Sequence, residues 1–255
     1  MSNRVISFDH VTKTFITHDG ENQALENISF TVGDGEFVTL LGPSGCGKST
    51  LLSMLAGLFR PTSGNITIRG EKVSGPSRQI GYMLQQDYLL SWRTIRENIL
   101  LGLEIQKTLT VETEKKALKL LSEMGLLSYK DHFPSQLSGG MRQRVALVRT
   151  LATNPGILLL DEPFSALDYQ TKLKLEDLVI DTLRRKQKTA LLVTHDISEA
   201  IAMSDRIIVL SPNPGRIKTV IEMPDSIRKP LPFESREVPD FQTYFQLVWK
   251  ELNNG

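Results

Sequence analysis

Apolar and polar residues alternate near the start of the chain, at Val5 to Phe8 and again at Ile28 to Val32, which predicts two strands joined by a turn or loop over the polar stretch Thr17 to Asn22. Glu36 to Leu41 predicts a third strand. It leads directly into Gly42-Pro-Ser-Gly-Cys-Gly-Lys-Ser-Thr50 and then into the apolar, helix-compatible Leu51 to Leu58. From Ile66 to Gln85 the pattern is one of short strands and turns, whereas Ile95 to Leu126 holds long helix-forming stretches such as Glu112 to Met124, which predict a helical insert. After Gln136 come a helix through about Ala152, a continuously apolar strand at Ile157 to Leu160, a helix from about Tyr169 and a second apolar strand at Ala190 to Val193. This alternation predicts an α/β fold with a parallel sheet covered by helices. Ile207 to Leu210 reads as one more strand, the proline-containing stretch Ser211 to Phe233 as irregular or edge structure, and Phe241 to Leu252 as a short terminal helix.

Three segments carry chemistry. Gly42 to Ser49 fits G-x-x-x-x-G-K-[ST], in which the glycines let backbone amides wrap a phosphate chain, Lys48 reaches the terminal phosphates and Ser49 offers a hydroxyl to magnesium. The strand before it and the helix after it favour this over a plain glycine turn capping a helix. Ile157-Leu-Leu-Leu-Asp-Glu162 puts two carboxylates at the end of an apolar strand, where open α/β sheets form their ligand crevice. There Asp161 can hold magnesium through water and Glu162 can polarise an attacking water, the alternative being a pair of caps for the next helix. Leu137-Ser-Gly-Gly-Met-Arg-Gln143 sets a serine and two glycines before a helix, a second cluster of amides able to face an anion, although a helix cap alone could also explain Ser138.

Composition narrows the setting more than the chemistry. With 30 basic and 29 acidic side chains in 255 residues, the net charge of +1 supplies no global field to draw the chain onto nucleic acid or anionic lipid. The basic run Arg184 to Lys188 lies at a predicted helix end and reads as a solvated face that complements the helix dipole. A lone cysteine, Cys46, permits no intrachain disulfide, and a reducing compartment fits. The amino terminus lacks the basic and apolar segments of a signal peptide. The strongest apolar runs, such as Leu51 to Phe59, fall well short of the roughly 18 residues of a membrane span, so any membrane link is expected through a partner.

Gly42 to Thr50, Gln85, Leu137 to Gln143, Ile157 to Glu162, Ser165 to Asp168 and His195 fall in the order and approximate spacing of the ABC ATPases, and the chain resembles that family over nearly its whole length. The resemblance implies a P-loop NTPase of ABC type: an α/β fold with a mixed or parallel core sheet, an N-terminal antiparallel β subdomain and a helical insert. It implies one ABC ATPase domain over residues 1–255, with the β subdomain and phosphate-loop core in 1–85, the helical subdomain in 86–153, the remaining core in 154–210 and a tail in 211–255.

By the same resemblance, Gly42, Pro43, Ser44, Gly45, Cys46, Gly47, Lys48, Ser49 and Thr50 contact ATP. Phe15 stacks on adenine, and Ser138, Gly139, Gly140 and Gln143 face the nucleotide of a second subunit packed head to tail. Asp168 crosses the dimer interface; Glu162, His195 and Gln85 are catalytic; Ser49, Gln85 and Asp161 hold Mg2+. Gln85 is preferred to Gln86 because it directly follows the apolar strand Gly81 to Leu84. The implied partners are a second copy or a paired ABC subunit, membrane permease subunits and an extracytoplasmic solute-binding protein, with no nucleic acid, and the implied location is the cytoplasmic face of the cell membrane. The segments Gln85 to Trp92 and Ser211 to Arg216 resemble the nitrate, sulfonate and taurine importer group, which includes uptake of pyrimidine vitamin precursors. Tyr88, Leu89, Leu90 and Trp92 are candidates for the permease groove, or simply pack the insert.

Two other classes compete. A soluble ABC ATPase acting on ribosomes or DNA usually carries two cassettes or a long coiled-coil insertion, and this sequence has neither. A non-enzymatic, nucleotide-gated scaffold is expected to lack the carboxylate that Glu162 supplies.

Overall fold

A computed structural model describes residues 4–17 and 20–253. The chain opens with β1 (Arg4–Thr17), β2 (Gly20–Gly33), β3 (Phe37–Leu41), α1 (Lys48–Leu55), β4 (Ser63–Ile68), β5 (Glu71–Lys72) and β6 (Ile80–Met83). The middle holds α2 (Ile95–Ile105), α3 (Val111–Glu123), α4 (Gly139–Ala152), β7 (Ile157–Asp161) and α5 (Tyr169–Arg185). Next come β8 (Thr189–Thr194), α6 (Ile197–Met203), β9 (Arg206–Ser211), β10 (Arg216–Glu222), α7 (Asp225–Arg228), α8 (Pro232–Ser235) and α9 (Pro239–Asn253). Two compact units result, one of Met1–Ser77 with Glu176–Gly255 and one of Arg78–Leu175.

In the first unit β2, β1, β4 and β5 form an antiparallel sheet. Alternation along β2 buries Ile28, Phe30 and Val32, and Phe30 stacks on its cross-strand partner Phe8 at 4.5 Å between ring centroids. Of the loop expected over Thr17 to Asn22, positions 18 and 19 lie outside the described residues, while β1 and β2 take in the rest. The same unit contains a mixed ladder: β3 lies parallel to both β8 and β9, and β9 pairs antiparallel with β10. Every residue of β3 and β8 is buried, as strands covered on both faces must be. The short helix α6 was not foreseen; Asp196 caps it by accepting from Glu199 N at 3.1 Å, and its apolar face packs with Phe241 and Val248 of α9. The expected irregular stretch Ser211 to Phe233 contains the edge strand β10 and the short helix α7.

In the second unit β6 and β7 pair in parallel, and α4 packs on both α2 and α3 through an apolar stripe that includes Val145 and Val148. Gly81 lets α4 also come close to β6, since a Cβ there would lie 2.6 Å from Pro155 and 3.0 Å from Thr150. The helices start where the sequence offers caps: Thr94 N donates to Glu97 Oε2 at 2.7 Å and Glu97 N to Thr94 Oγ1 at 3.2 Å, a reciprocal pair at the head of α2. Among the described residues no helix is long and apolar enough to cross a membrane.

Candidate functional site

In the first unit, the end of β3 leads into a loop that turns back on itself before α1. Lys48 opens the helix, yet its side chain is only 7% exposed. Its Nζ donates to the carbonyls of Gly42 at 2.7 Å and Pro43 at 2.9 Å, which pulls the ammonium across the mouth of the loop. Gly47 has φ 92°, and a Cβ on it would lie 2.5 Å from Leu25 Cδ2, so both conformation and space require glycine. The first amides of α1 have no side-chain cap. Backbone donors, a helix N-terminus and a fixed cation therefore converge on one loop, the arrangement that suits a chain of phosphates. Pro43, Ser44, Gly45 and Ser49 are exposed, Gly47 and Thr50 half-buried, and Gly42 and Cys46 buried. Burial pushes the Cys46 thiol up, opposed by the nearby Lys48 charge.

Elsewhere in that unit, Phe15 is half-buried, meets Phe59 edge-on at 5.8 Å between centroids, and carries Lys13 Nζ 4.9 Å from its ring centre. His195 is exposed at the carboxyl end of β8. Of the basic run, Arg184 donates to the carbonyls of Lys229 and Pro230 at 2.9 Å, and Arg185 pairs with Asp181.

The second unit assembles the other candidates. Asp161 is buried at the end of β7 and Glu162 follows half-buried, with φ 48° in the left-handed region. Glu162 Oε2 accepts a hydrogen bond from Gln85 Nε2 at 3.1 Å, so it is Gln85, just beyond β6, that reaches the carboxylate. At the head of α4, Ser138 Oγ accepts from Met141 N at 3.3 Å, a helix cap, while Ser138 and Gly139 stay exposed and Gly140 is half-buried. Asp168 heads α5, where its Oδ1 accepts from Thr171 N at 3.0 Å; that bond holds the carboxyl below its usual range.

Gln143 requires a correction. It was expected among the nucleotide contacts, but it is 4% exposed and both ends of its amide are engaged. Nε2 donates to the main-chain oxygen of Glu162 at 3.1 Å and to Ser165 Oγ at 3.4 Å, and Oε1 accepts from Ala166 N at 3.0 Å. A buried amide so occupied fastens the turn after β7 and has no group left for a phosphate.

Sequence reasoning also missed a polar lattice around residues 87–94. Arg142 Nε pairs with Asp87 Oδ2 at 3.0 Å, and Arg149 donates to the carbonyls of Asp87 at 2.6 Å and Tyr88 at 2.9 Å. Burial lowers the Arg149 guanidinium, opposed by the Asp87 charge. The buried Asn98 accepts from Leu90 N at 2.8 Å and donates to the carbonyls of Leu90, Arg93 and Thr94. Its place among the apolar residues of α2 was the available signal. The lattice leaves Tyr88 and Trp92 at the surface, Trp92 72% exposed, with Leu89 and Leu90 half-buried.

The model of the family described as ABC transporter matches residues 25–165, from β2 through the turn after Glu162. The chain belongs to the ABC transporter family. It is an ATPase of that family, with the α/β fold expected for it. Among relatives, it is 55% identical to the uncharacterized ABC transporter ATP-binding protein YtlC of Bacillus subtilis, over 96% of this chain and 95% of that one. It is 39% identical to the aliphatic sulfonates import ATP-binding protein SsuB of Bacillus cereus, over 98% and 96%. With the taurine import ATP-binding protein TauB of Roseobacter denitrificans it shares 40% identity, over 86% and 82%. Among solved structures, it superposes at TM-score 0.79 and 34% identity on the ATP-binding cassette MJ0796, described as a dimer in a post-hydrolysis state bound to ADP and Pi, over 86% of this ABC ATPase and 99% of that chain.

Proposed function

We propose that this ABC ATPase is the ATP-hydrolysing subunit of a membrane importer for a small organic or inorganic solute, of the nitrate, sulfonate, taurine or pyrimidine-precursor type, and that ATP drives it into a closed dimer. The observation that carries the reading is the presence of two separate anion-facing loops in one chain, Gly42 to Thr50 and Ser138 to Gly140. One triphosphate has no need of both. Two copies packed head to tail use each loop once per nucleotide, which makes ATP part of the interface and links dimer stability to ATP concentration. The names of the sulfonate and taurine import relatives support the importer class.

Within that reading, the loop amides and Lys48 bind the phosphates, Phe15 stacks on adenine and His195 contacts the terminal phosphate. Ser49, Gln85 and Asp161 would hold Mg2+ through their side-chain oxygens, the ligand type that this hard cation favours alongside substrate phosphates. When bound, the ion supplies charge neutralisation on the phosphates. Glu162 polarises the attacking water, with Gln85 orienting its carboxylate through the 3.1 Å hydrogen bond. Ser138, Gly139 and Gly140 serve the nucleotide of the other copy, and Asp168 crosses to it. The exposed Tyr88 and Trp92, with Leu89 and Leu90, form the docking surface for a permease at the cytoplasmic face of the membrane, and a solute-binding protein delivers the solute from the other side.

The test is the mass of purified Glu162→Gln protein by light scattering, with and without ATP. Removing the carboxylate preserves nucleotide binding and stops turnover, so an ATP-dependent shift from monomer to dimer is expected. An unchanged monomer at every ATP concentration rules out ATP-driven dimer closure. Co-purification with a hydrophobic permease tests the importer assignment against action on ribosomes or DNA.

A further inference from the structure

Gln143 lies about one helical turn beyond the Ser138 to Gly140 loop, on the same face of α4 as the buried Leu147 and Thr150. It fastens a turn that begins at the catalytic carboxylate. The main-chain oxygen of Glu162 receives Gln143 Nε2 at 3.1 Å and Ser165 Oγ at 3.0 Å, while Ala166 N is held on Gln143 Oε1 at 3.0 Å. Glu162 needs such support. Its φ of 48° is unfavourable for a residue with a Cβ and persists where surrounding bonds over-determine it. A rotation of that backbone would swing the carboxylate away from Gln85.

We propose that Gln143 is a positioning residue for catalysis: it holds Glu162 in its left-handed backbone and ties it to the helix whose head carries Ser138, Gly139 and Gly140. The inference rests on the assignment of Glu162 as the residue that polarises water. Its consequence concerns cooperation between the two sites of a dimer. Docking of the partner's nucleotide on the 138–140 loop loads α4, and the buried amide of Gln143 passes that load to Glu162 of the same chain, a physical connection between an element used by one site and an element used by the other. The carboxylate is then correctly set when the loop is engaged.

Gln143→Met keeps the length and approximate volume of the side chain but removes both hydrogen-bonding functions. Ser165→Ala loosens the same turn from its exposed side and leaves the core intact. For each full-length variant, steady-state ATP hydrolysis, ATP affinity, melting temperature and the Hill coefficient for ATP are measured. Gln143→Met is expected to lower kcat by about tenfold or more with ATP affinity within about twofold of wild type, and to bring the Hill coefficient towards one. Ser165→Ala is expected to lower kcat by a smaller factor. Placed on Glu162→Gln, neither change should cost further residual hydrolysis, because both act through the carboxylate already removed. Wild-type kcat in both single variants, with Glu162→Gln inactive, overturns the positioning role alone, as does an equal fold-loss in the presence and absence of Glu162. Wild-type turnover by Glu162→Gln removes the assignment of Glu162 and the inference with it.

Discussion

The two anion-facing loops are built on opposite plans. Gly42 to Thr50 closes on itself: Lys48 is buried against the carbonyls of Gly42 and Pro43, and Gly47 is seated where no Cβ fits. Ser138 to Gly140 stays open at its tip, and its anchors lie farther along α4, where Arg142 and Gln143 reach residues distant in sequence. A loop that is complete within its own backbone can bind a phosphate chain before any partner arrives. The first turn of α4 packs Gly140 against Ala166 and Leu167 and keeps Ser138 and Gly139 exposed, so it presents donors to what docks on them. The contrast supports the proposal that the first segment captures ATP and the second takes part in dimer closure.

The sharpest way to break the comparison is to add one methyl group to each loop. Gly47→Ala forces an L-residue into φ 92° and drives its Cβ to 2.5 Å from Leu25 Cδ2. Backbone strain of about 1–3 kcal/mol and overpacking of similar size should combine to lower the melting temperature by many degrees and abolish ATP binding. At Gly139 the nearest atom to an added Cβ is Arg142 Nη2 at 3.9 Å, an ordinary contact distance. Gly139→Ala should therefore melt near wild type and bind ATP as a monomer, while its hydrolysis and ATP-dependent dimerisation fall. Similar melting temperatures for the two variants would mean that the closed plan of the first loop matters little to stability.

Removing the principal side chain from each loop sharpens the same division. Lys48→Ala deletes a charged donor and frees the carbonyls of Gly42 and Pro43. Hydrogen bonds to charged groups are worth about 1.5–3 kcal/mol, so ATP affinity should drop roughly tenfold to a hundredfold in equilibrium titration. Ser138→Ala removes a helix cap worth about 1 kcal/mol and should leave monomer ATP affinity unchanged while slowing hydrolysis. Loss of ATP binding in the isolated Ser138→Ala monomer would place Ser138 in the site of its own subunit.

The two glycine-bearing segments themselves were legible in the sequence because glycine, lysine and serine spacing reports backbone conformation directly. The strands β7 and β8 were equally plain, through the uninterrupted apolar runs Ile157 to Leu160 and Ala190 to Val193. By contrast β1 and β2 extend beyond the expected Val5 to Phe8 and Ile28 to Val32, because the pairing shifts between Phe8 and Val11 and residues His10 and Asn27 adopt positive φ. Those irregularities break the period-2 pattern that makes a strand visible. Gln143 was misassigned for a different reason: a motif records which residues are present but not which way each one points. The helical period held the answer, since Gln143 shares the buried stripe of Leu147, Thr150 and Leu151. The contacts of Arg142 and Arg149 with Asp87 join residues far apart in the chain, a pairing no local pattern encodes.

Asp168 gives the smallest expected effect and divides two roles that coexist in one side chain. As the cap of α5 it accepts from Thr171 N, and this bond depresses its pKa. A carboxyl whose folded pKa lies below its unfolded value, ordinarily about 3.9, adds stability that is fully present above that value and is lost as pH falls through the folded pKa. Asp168→Ala should accordingly melt slightly below wild type at neutral pH, and the gap should narrow as pH drops below about 4. The cap accounts for that shift without any partner. If Asp168 also crosses to the opposite site, the variant hydrolyses ATP several times more slowly while binding it normally, an effect too large for so small a loss of stability. Unchanged hydrolysis would leave Asp168 as a helix cap and remove it from the dimer interface.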